Sequence, residues 1–139
     1  MEVSQVKKSI MSVFILGGFL LLGCAYKHRP LVNPEVEILN KVSLDQVKTT
    51  VGRVLRVVGW KIEDERPGVT IASLRKDTLF AKIKVDYTET HLTVRYVDSQ
   101  NLNYENISGE GETIHSRYLN WANNVATLLS RALNSLPAK

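Results

Sequence analysis

Between residues 60 and 96 the apolar side chains fall at every second position, and this alternation constrains the fold more than any other feature of the chain. Ala81, Ile83, Val85 and Tyr87 alternate with Lys82, Lys84 and Asp86, and Leu92, Val94 and Tyr96 alternate with Thr93 and Arg95. Two shorter runs precede them, Trp60 and Ile62 beside Lys61 and Glu63, then Ala72 and Leu74 beside Ile71 and Ser73. A period of two predicts strands with one face in the core and one in water, as in an antiparallel sheet. The connections set the register. A loop over 66–68, with its Pro67-Gly68 turn, puts Trp60 across from Leu74 and Ile62 across from Ala72. A loop over 88–91 puts Tyr87 across from Leu92. Both keep the apolar sets on one face, which a stable register requires. Val69 and Ile71 fall on the opposite face, where this register gives them no role.

The alternation is bracketed by two segments of helical period. Ser43, followed three residues on by Gln46, is a capping box that satisfies orphan donors at a helix start. Leu44, Val47, Val51, Val54, Leu55 and Val58 then recur at helical spacing until Gly59, a left-handed stop. Lys48, Arg53 and Arg56 on the other face read as a solvated face, with a stripe facing lipid headgroups as the sharper alternative. A long loop over 98–112 leads to a second helix. It starts near Ile114, carries Tyr118, Trp121, Ala122, Val125, Leu128, Leu129, Ala132, Leu133 and Leu136, and ends at Pro137. Two striped helices and a one-faced sheet predict an α+β fold. Its economical form is a two-layer sandwich over 42–139: helix, four-stranded antiparallel meander, helix, with both helices on one sheet face.

The first 23 residues predict targeting rather than structure. Lys7 and Lys8 precede an uncharged run over 10–22, about 13 residues and too short for a span that needs about 20. The run closes on Leu21-Leu22-Gly23-Cys24. That tetrapeptide resembles the lipobox of bacterial lipoproteins, which implies a diacylglyceryl group on the Cys24 sulfur and cleavage before Cys24. Ala25 is not the Asp that resembles an inner-membrane retention mark, so the implied address is the outer membrane, facing the periplasm. Residues 24–41, with Pro30 and Pro34 and no clear period, read as a lipidated tether. The whole chain has 18 basic and 14 acidic residues; without Glu2, Lys7 and Lys8 the balance falls to about +3. No cluster of Lys and Arg follows Cys24, so nothing points to nucleic acid. A single Cys excludes an intramolecular disulfide.

Trp60, Pro67-Gly68 with Ala72 and Leu74, Asp98-Ser99, Asn101-Leu102 with Tyr104, and Ile114-His115 with Tyr118, Asn120 and Trp121 form a further pattern. With the lipobox it covers most of the chain after the leader. It resembles a family of small proteobacterial outer-membrane lipoproteins of unknown function, and the resemblance implies no activity. The family has an Ile-like residue where Thr70 stands here, which implies a less buried start to that strand. The layout also resembles the helix-plus-sheet domains of outer-membrane assembly lipoproteins, a likeness of fold alone.

The candidate functional loop comprises Asp98, Ser99, Asn101, Tyr104 and His115. Ser, His and Asp in one neighbourhood invite a hydrolase reading. Against it, no Gly-x-Ser-x-Gly elbow surrounds Ser99, and the adjacent Asp98 and Ser99 point opposite ways in extended chain. The structural alternative has His115 and Asn101 bonding loop backbone within one network. Tyr87, Tyr96, Trp60 and Trp121 are spaced as core residues. His28, His91 and His115 are scattered, so no metal site and no cofactor are expected. The expected function is that of a non-enzymatic envelope interaction module. Its partners are the membrane, through the lipid anchor, and another envelope protein or peptidoglycan. An apolar-ligand or lipid-binding domain is the alternative, and a hydrolase using His115 the weaker one.

Overall fold

Val36 and Ile38 lie in the stretch that its prolines mark as a tether, yet both are buried. The computed structural model describes residues 28–137. In chain order its elements are β1 (His28–Pro30), β2 (Glu35–Glu37), α1 (Leu44–Val57), β3 (Lys61–Arg66), β4 (Val69–Lys76), β5 (Leu79–Tyr87), β6 (His91–Gln100), β7 (Glu105–Ile107), β8 (Gly111–His115) and α2 (Ser116–Asn134). The expected tether over 24–41 is thus corrected from His28 onward. β1 pairs with β8 and β2 with β6, both antiparallel. Pro30 and Pro34 obscured the alternation because neither suits a strand interior, but one ends β1 and the other precedes β2. The leader, Cys24 and Ala25 lie outside the described residues.

The protein is α+β, with two helices and two antiparallel sheets. The larger sheet has five strands in the order β2-β6-β5-β4-β3, and the smaller has three in the order β1-β8-β7. The four strands read from sequence are neighbours in chain order within the larger sheet. β2 extends that sheet beyond β6, and the second sheet was not foreseen. α1 packs against β3, β4 and β5, α2 against β2, β6 and β8, and the helices against each other.

Local chemistry explains the helix ends. Ser43 Oγ accepts the Gln46 N–H at 3.2 Å, and Gln46 Oε1 accepts the Ser43 N–H at 2.8 Å, so the capping box is complete. At the far end Gly59 has φ +93°, its N–H bonds the Arg56 carbonyl, and the Trp60 N–H bonds the Leu55 carbonyl. Those two bonds make a Schellman motif, for which glycine is the favoured left-handed residue.

The β3–β4 hairpin resolves the two misplaced apolar residues. Ile62 faces Ala72 as expected, but a bulge follows it, and Arg66 then pairs with Val69 around a two-residue Pro67-Gly68 turn. Gly68 has φ +87°, which the turn requires. β4 itself is regular, and its inward residues are Thr70, Ala72 and Leu74. Thr70 is 0% exposed, which corrects the expected loose start to this strand. Its Oγ1 lies 3.4 Å from Tyr87 Oη, and Tyr87 Oη donates to the Arg66 carbonyl at 2.9 Å. Val69 and Ile71 lie half-buried on the outer face, opposite Asp86 and Lys84 of β5. Tyr87 faces Leu92 as expected.

The molecule has two ends. β6 ends at Gln100, Asn101 Nδ2 donates to the Thr78 carbonyl of the β4–β5 turn, and the His115 N–H donates to the Leu102 carbonyl where β8 passes into α2. The chain enters this same end, since His28 pairs with His115. At the opposite end the Tyr87 N–H reaches the Gly68 carbonyl and the Ile38 N–H reaches Thr90. There Asn134 Oδ1 accepts the Leu39 N–H at 2.8 Å and its Nδ2 donates to the Glu37 carbonyl at 3.1 Å. Asn40 Nδ2 answers by donating to the Asn134 and Leu136 carbonyls, both at 2.8 Å.

Candidate functional site

β6 carries a second bulge, and it builds the site. Lys82 of β5 pairs with Asp98 but Ile83 pairs with Tyr96, so Val97 is an extra residue. In a regular strand residues three apart point to opposite faces. With the bulge, Tyr96 and Ser99 share a face, and Tyr96 Oη lies 2.7 Å from Ser99 Oγ. The Tyr96 N–H is taken by Asn33 Oδ1 at 3.0 Å.

Beyond β6 two left-handed residues, Asn101 at φ +60° and Asn103 at φ +53°, fold the chain back. Short Asn side chains tolerate this region, where β-branched residues would be strained. Tyr104 is thereby laid flat on Tyr96, centroids 4.6 Å apart and planes 18° apart. Tyr104 Oη donates to Glu112 Oε1 of β8 at 2.9 Å. The result is an open cleft of about 580 Å³ whose polar lining includes Asp98, Ser99, Asn101, Asn103 and Glu112, with Tyr96 and Tyr104 as its aromatic wall.

Behind the wall stands Tyr118 of α2, 0% exposed, its ring edge-on to Tyr96 at 5.4 Å and 86°. Tyr118 Oη is buried with no hydrogen-bond partner among the described residues. Burial, and then the nearby Tyr96, hold its phenol far above the ordinary tyrosine range. Burial also raises Tyr96, against the opposing pull of the Ser99 hydrogen bond. Tyr104 is raised by its hydrogen bond to Glu112, which as a carboxylate favours the protonated phenol.

Of the five residues of the candidate loop, the structure brings four together. Asp98, Ser99, Asn101 and Tyr104 line the cleft; His115 does not. His115 is the N-cap of α2, and its Nδ1 accepts the Arg117 N–H at 3.0 Å. Ser99 Oγ is bonded to Tyr96 rather than to a histidine, and Asp98 Oδ1 accepts the N–H of its neighbour Ser99 at 2.8 Å. His115 and Asn101 both bond backbone, as the structural alternative requires, but at separate places, one at the helix start and one at the β4–β5 turn. They do not form a shared network.

Sequence reasoning missed Tyr96 as a wall of the site, and it missed Asn103 and Glu112. Tyr96 fits the alternating pattern of a core strand, and nothing in the sequence marks the bulge at Val97. Asn103 carried a faint signal, a second Asn two residues after Asn101. Among the described residues no three His, Cys, Asp or Glu side chains converge to hold a metal ion, and no helix is long and apolar enough to cross a membrane. No family model, curated protein or solved structure matches the chain.

Proposed function

We propose that this chain is a lipid-anchored, non-enzymatic module of the bacterial envelope, with its domain on the periplasmic side of the outer membrane. Its tyrosine-walled cleft receives a partner, either another envelope protein or peptidoglycan. The observation that carries the reading is how the cleft's side chains, and His115 outside it, are engaged. Ser99 is held by Tyr96, Tyr104 by Glu112, and His115 by the first turn of α2. A nucleophile and its base need to lie within hydrogen-bond reach of each other; here each is committed elsewhere. Stacked tyrosines beside amide, hydroxyl and carboxylate groups instead suit recognition, because they offer rigid contact area and directional bonds. The anchor rests on the sequence ending in Leu21-Leu22-Gly23-Cys24. We also read the two helices as one layer over one face of the larger sheet, which accords with their shared core.

One observation favours the apolar-ligand alternative. A groove of about 310 Å³ between the helices is floored by Val54, Val57, Val58, Leu128 and Ala132 and flanked by Arg53 and Arg131.

Crosslinking and pull-down of the anchored protein tests the proposal. The wild type should recover an envelope component that Tyr104→Ala loses while remaining folded and anchored. Cys24→Ser should abolish lipid labelling. A Cys24→Ser protein that matures normally and still fractionates with the membrane refutes the anchor. Unchanged recovery by Tyr104→Ala refutes the cleft.

A further inference from the structure

Only Ala25, Tyr26 and Lys27 separate Cys24 from His28, and His28 is already the first residue of β1. Extended chain covers at most about 3.6 Å per residue, so the four steps from Cys24 to His28 span no more than about 14 Å. Acyl chains on Cys24 would fix that residue at the level of the headgroups. The stretch that sequence offered as a spacer is used up by the sheets, since β1 is held by β8 and β2 by β6. The chain enters at one end of the molecule, beside the β4–β5 turn, the end of β6 and the start of α2. The opposite end lies a full β6 away, ten residues, or about 33 Å at about 3.3 Å per residue.

We propose that the domain stands on its bilayer by the end that carries His28, held too closely to turn away. This rests on the lipid-anchor reading above. The occupant of that end is the phospholipid surface, contacted by the β4–β5 turn and the first turn of α2. The side chains there suit an anionic interface. Arg29, Lys76 and Arg117 are exposed and form no ion pair among the described residues. Exposed Arg75 adds a fourth cation, against the exposed acids Asp77, Asp98 and Glu112. Basic side chains at such a surface are attracted by anionic lipid and lose that attraction within a Debye length.

The placement narrows the partner class for the cleft. Asp98, Asn101 and Asn103 line it at this same end, so it opens close to the headgroups. A partner that reaches it is itself held in or on the bilayer, rather than free in the periplasm.

The test uses the full chain, processed in cells, with a photo-activatable amino acid at Thr78 or Arg117 near the entry end, or at Lys41 or Glu89 at the other. Mass spectrometry reads two things from each protein: acylation of Cys24 and adducts with phospholipid. The expected result is acylated protein with lipid adducts several-fold more abundant at Thr78 and Arg117 than at Lys41 and Glu89. A long Gly/Ser linker inserted between Lys27 and His28 should erase that difference. Acylated protein with equal adducts at both ends, or more at Lys41 and Glu89, overturns the orientation and leaves the anchor standing. Unacylated Cys24 overturns both.

Discussion

Tyr118 offers the sharpest test of the packing, because its hydroxyl should be a liability. The side chain is 0% exposed, and its Oη has no hydrogen-bond partner among the described residues. A buried polar group left unpaired costs about 1–3 kcal/mol, whereas replacing it by an apolar group of the same shape is neutral or better. Tyr118→Phe removes that cost and keeps the edge-on contact with Tyr96. It vacates the space of one oxygen, a loss of a few tenths of a kcal/mol at about 24 cal/mol per Å³. The net expectation is a gain of about 1 kcal/mol, or a Tm rise of about 4 °C for a domain of this size. Thermal and urea unfolding of the chain from residue 24 onward, carrying Cys24→Ser, would measure it, with an unchanged urea slope. High pH supplies a second readout. The raised phenol of Tyr118 contributes stability that is present in full below the unfolded value of about 10 and is lost as pH rises from there through the folded value. Tyr118→Phe removes that loss, so its advantage over wild type should widen above pH 10. A variant destabilised by 1 kcal/mol or more, or an advantage independent of alkaline pH, would refute the reasoning.

Asn134→Ala should cost about 1–2 kcal/mol, because it releases the backbone of Glu37 and Leu39 at once; chemical denaturation checks this. His115→Ala should lose about 1 kcal/mol of capping energy, and its effect should add to that of Asn101→Ala, since the two have separate partners. A double-mutant cycle with coupling above about 0.5 kcal/mol would show a network after all. Gly52→Ala should stabilise by up to about 1 kcal/mol. The new Cβ would meet only the tip of Arg56, at 2.9 Å, and of Glu65, at 3.1 Å, and their exposed ion pair can shift at little cost. A melting temperature lowered by Gly52→Ala would mean that this pair is held rigidly.

Elements whose cause is local were legible in the sequence. The capping box at Ser43, the stop at Gly59 and the alternation of β5 and β6 each depend on residues a few positions apart. The pairing of Tyr87 with Leu92 follows from one turn. Features that depend on tertiary context were not legible. The bulges after Ile62 and at Val97 are single inserted residues, and the sequence around them reads equally well as regular strand. The first bulge sets an extra residue, Glu63, into β3, and the second brings Ser99 onto the face of Tyr96. β1 and β2 have three residues each, too few to show a period, and are stabilised by partners far along the chain. In the candidate loop, composition located Asp98, Ser99, Asn101 and Tyr104. It misled over His115, because a histidine capping a helix and a histidine serving as a base look the same in one dimension.

The bonds that the Asn40 and Asn134 side chains make across the far end also bear on how the chain reaches its fold. They and their neighbours join residues 94 to 97 positions apart, and β1 awaits β8. Contacts of such separation are closed late and slowly, because the loop entropy must be met before they contribute. The first described segment, from His28 to Val42, therefore has no place to settle until the last helix has followed it. In that interval Val36, Ile38 and Val42 are open to solvent, and a nascent chain is most exposed to proteases and to holding chaperones. Folding of this protein is a terminal event, completed only once α2 has emerged.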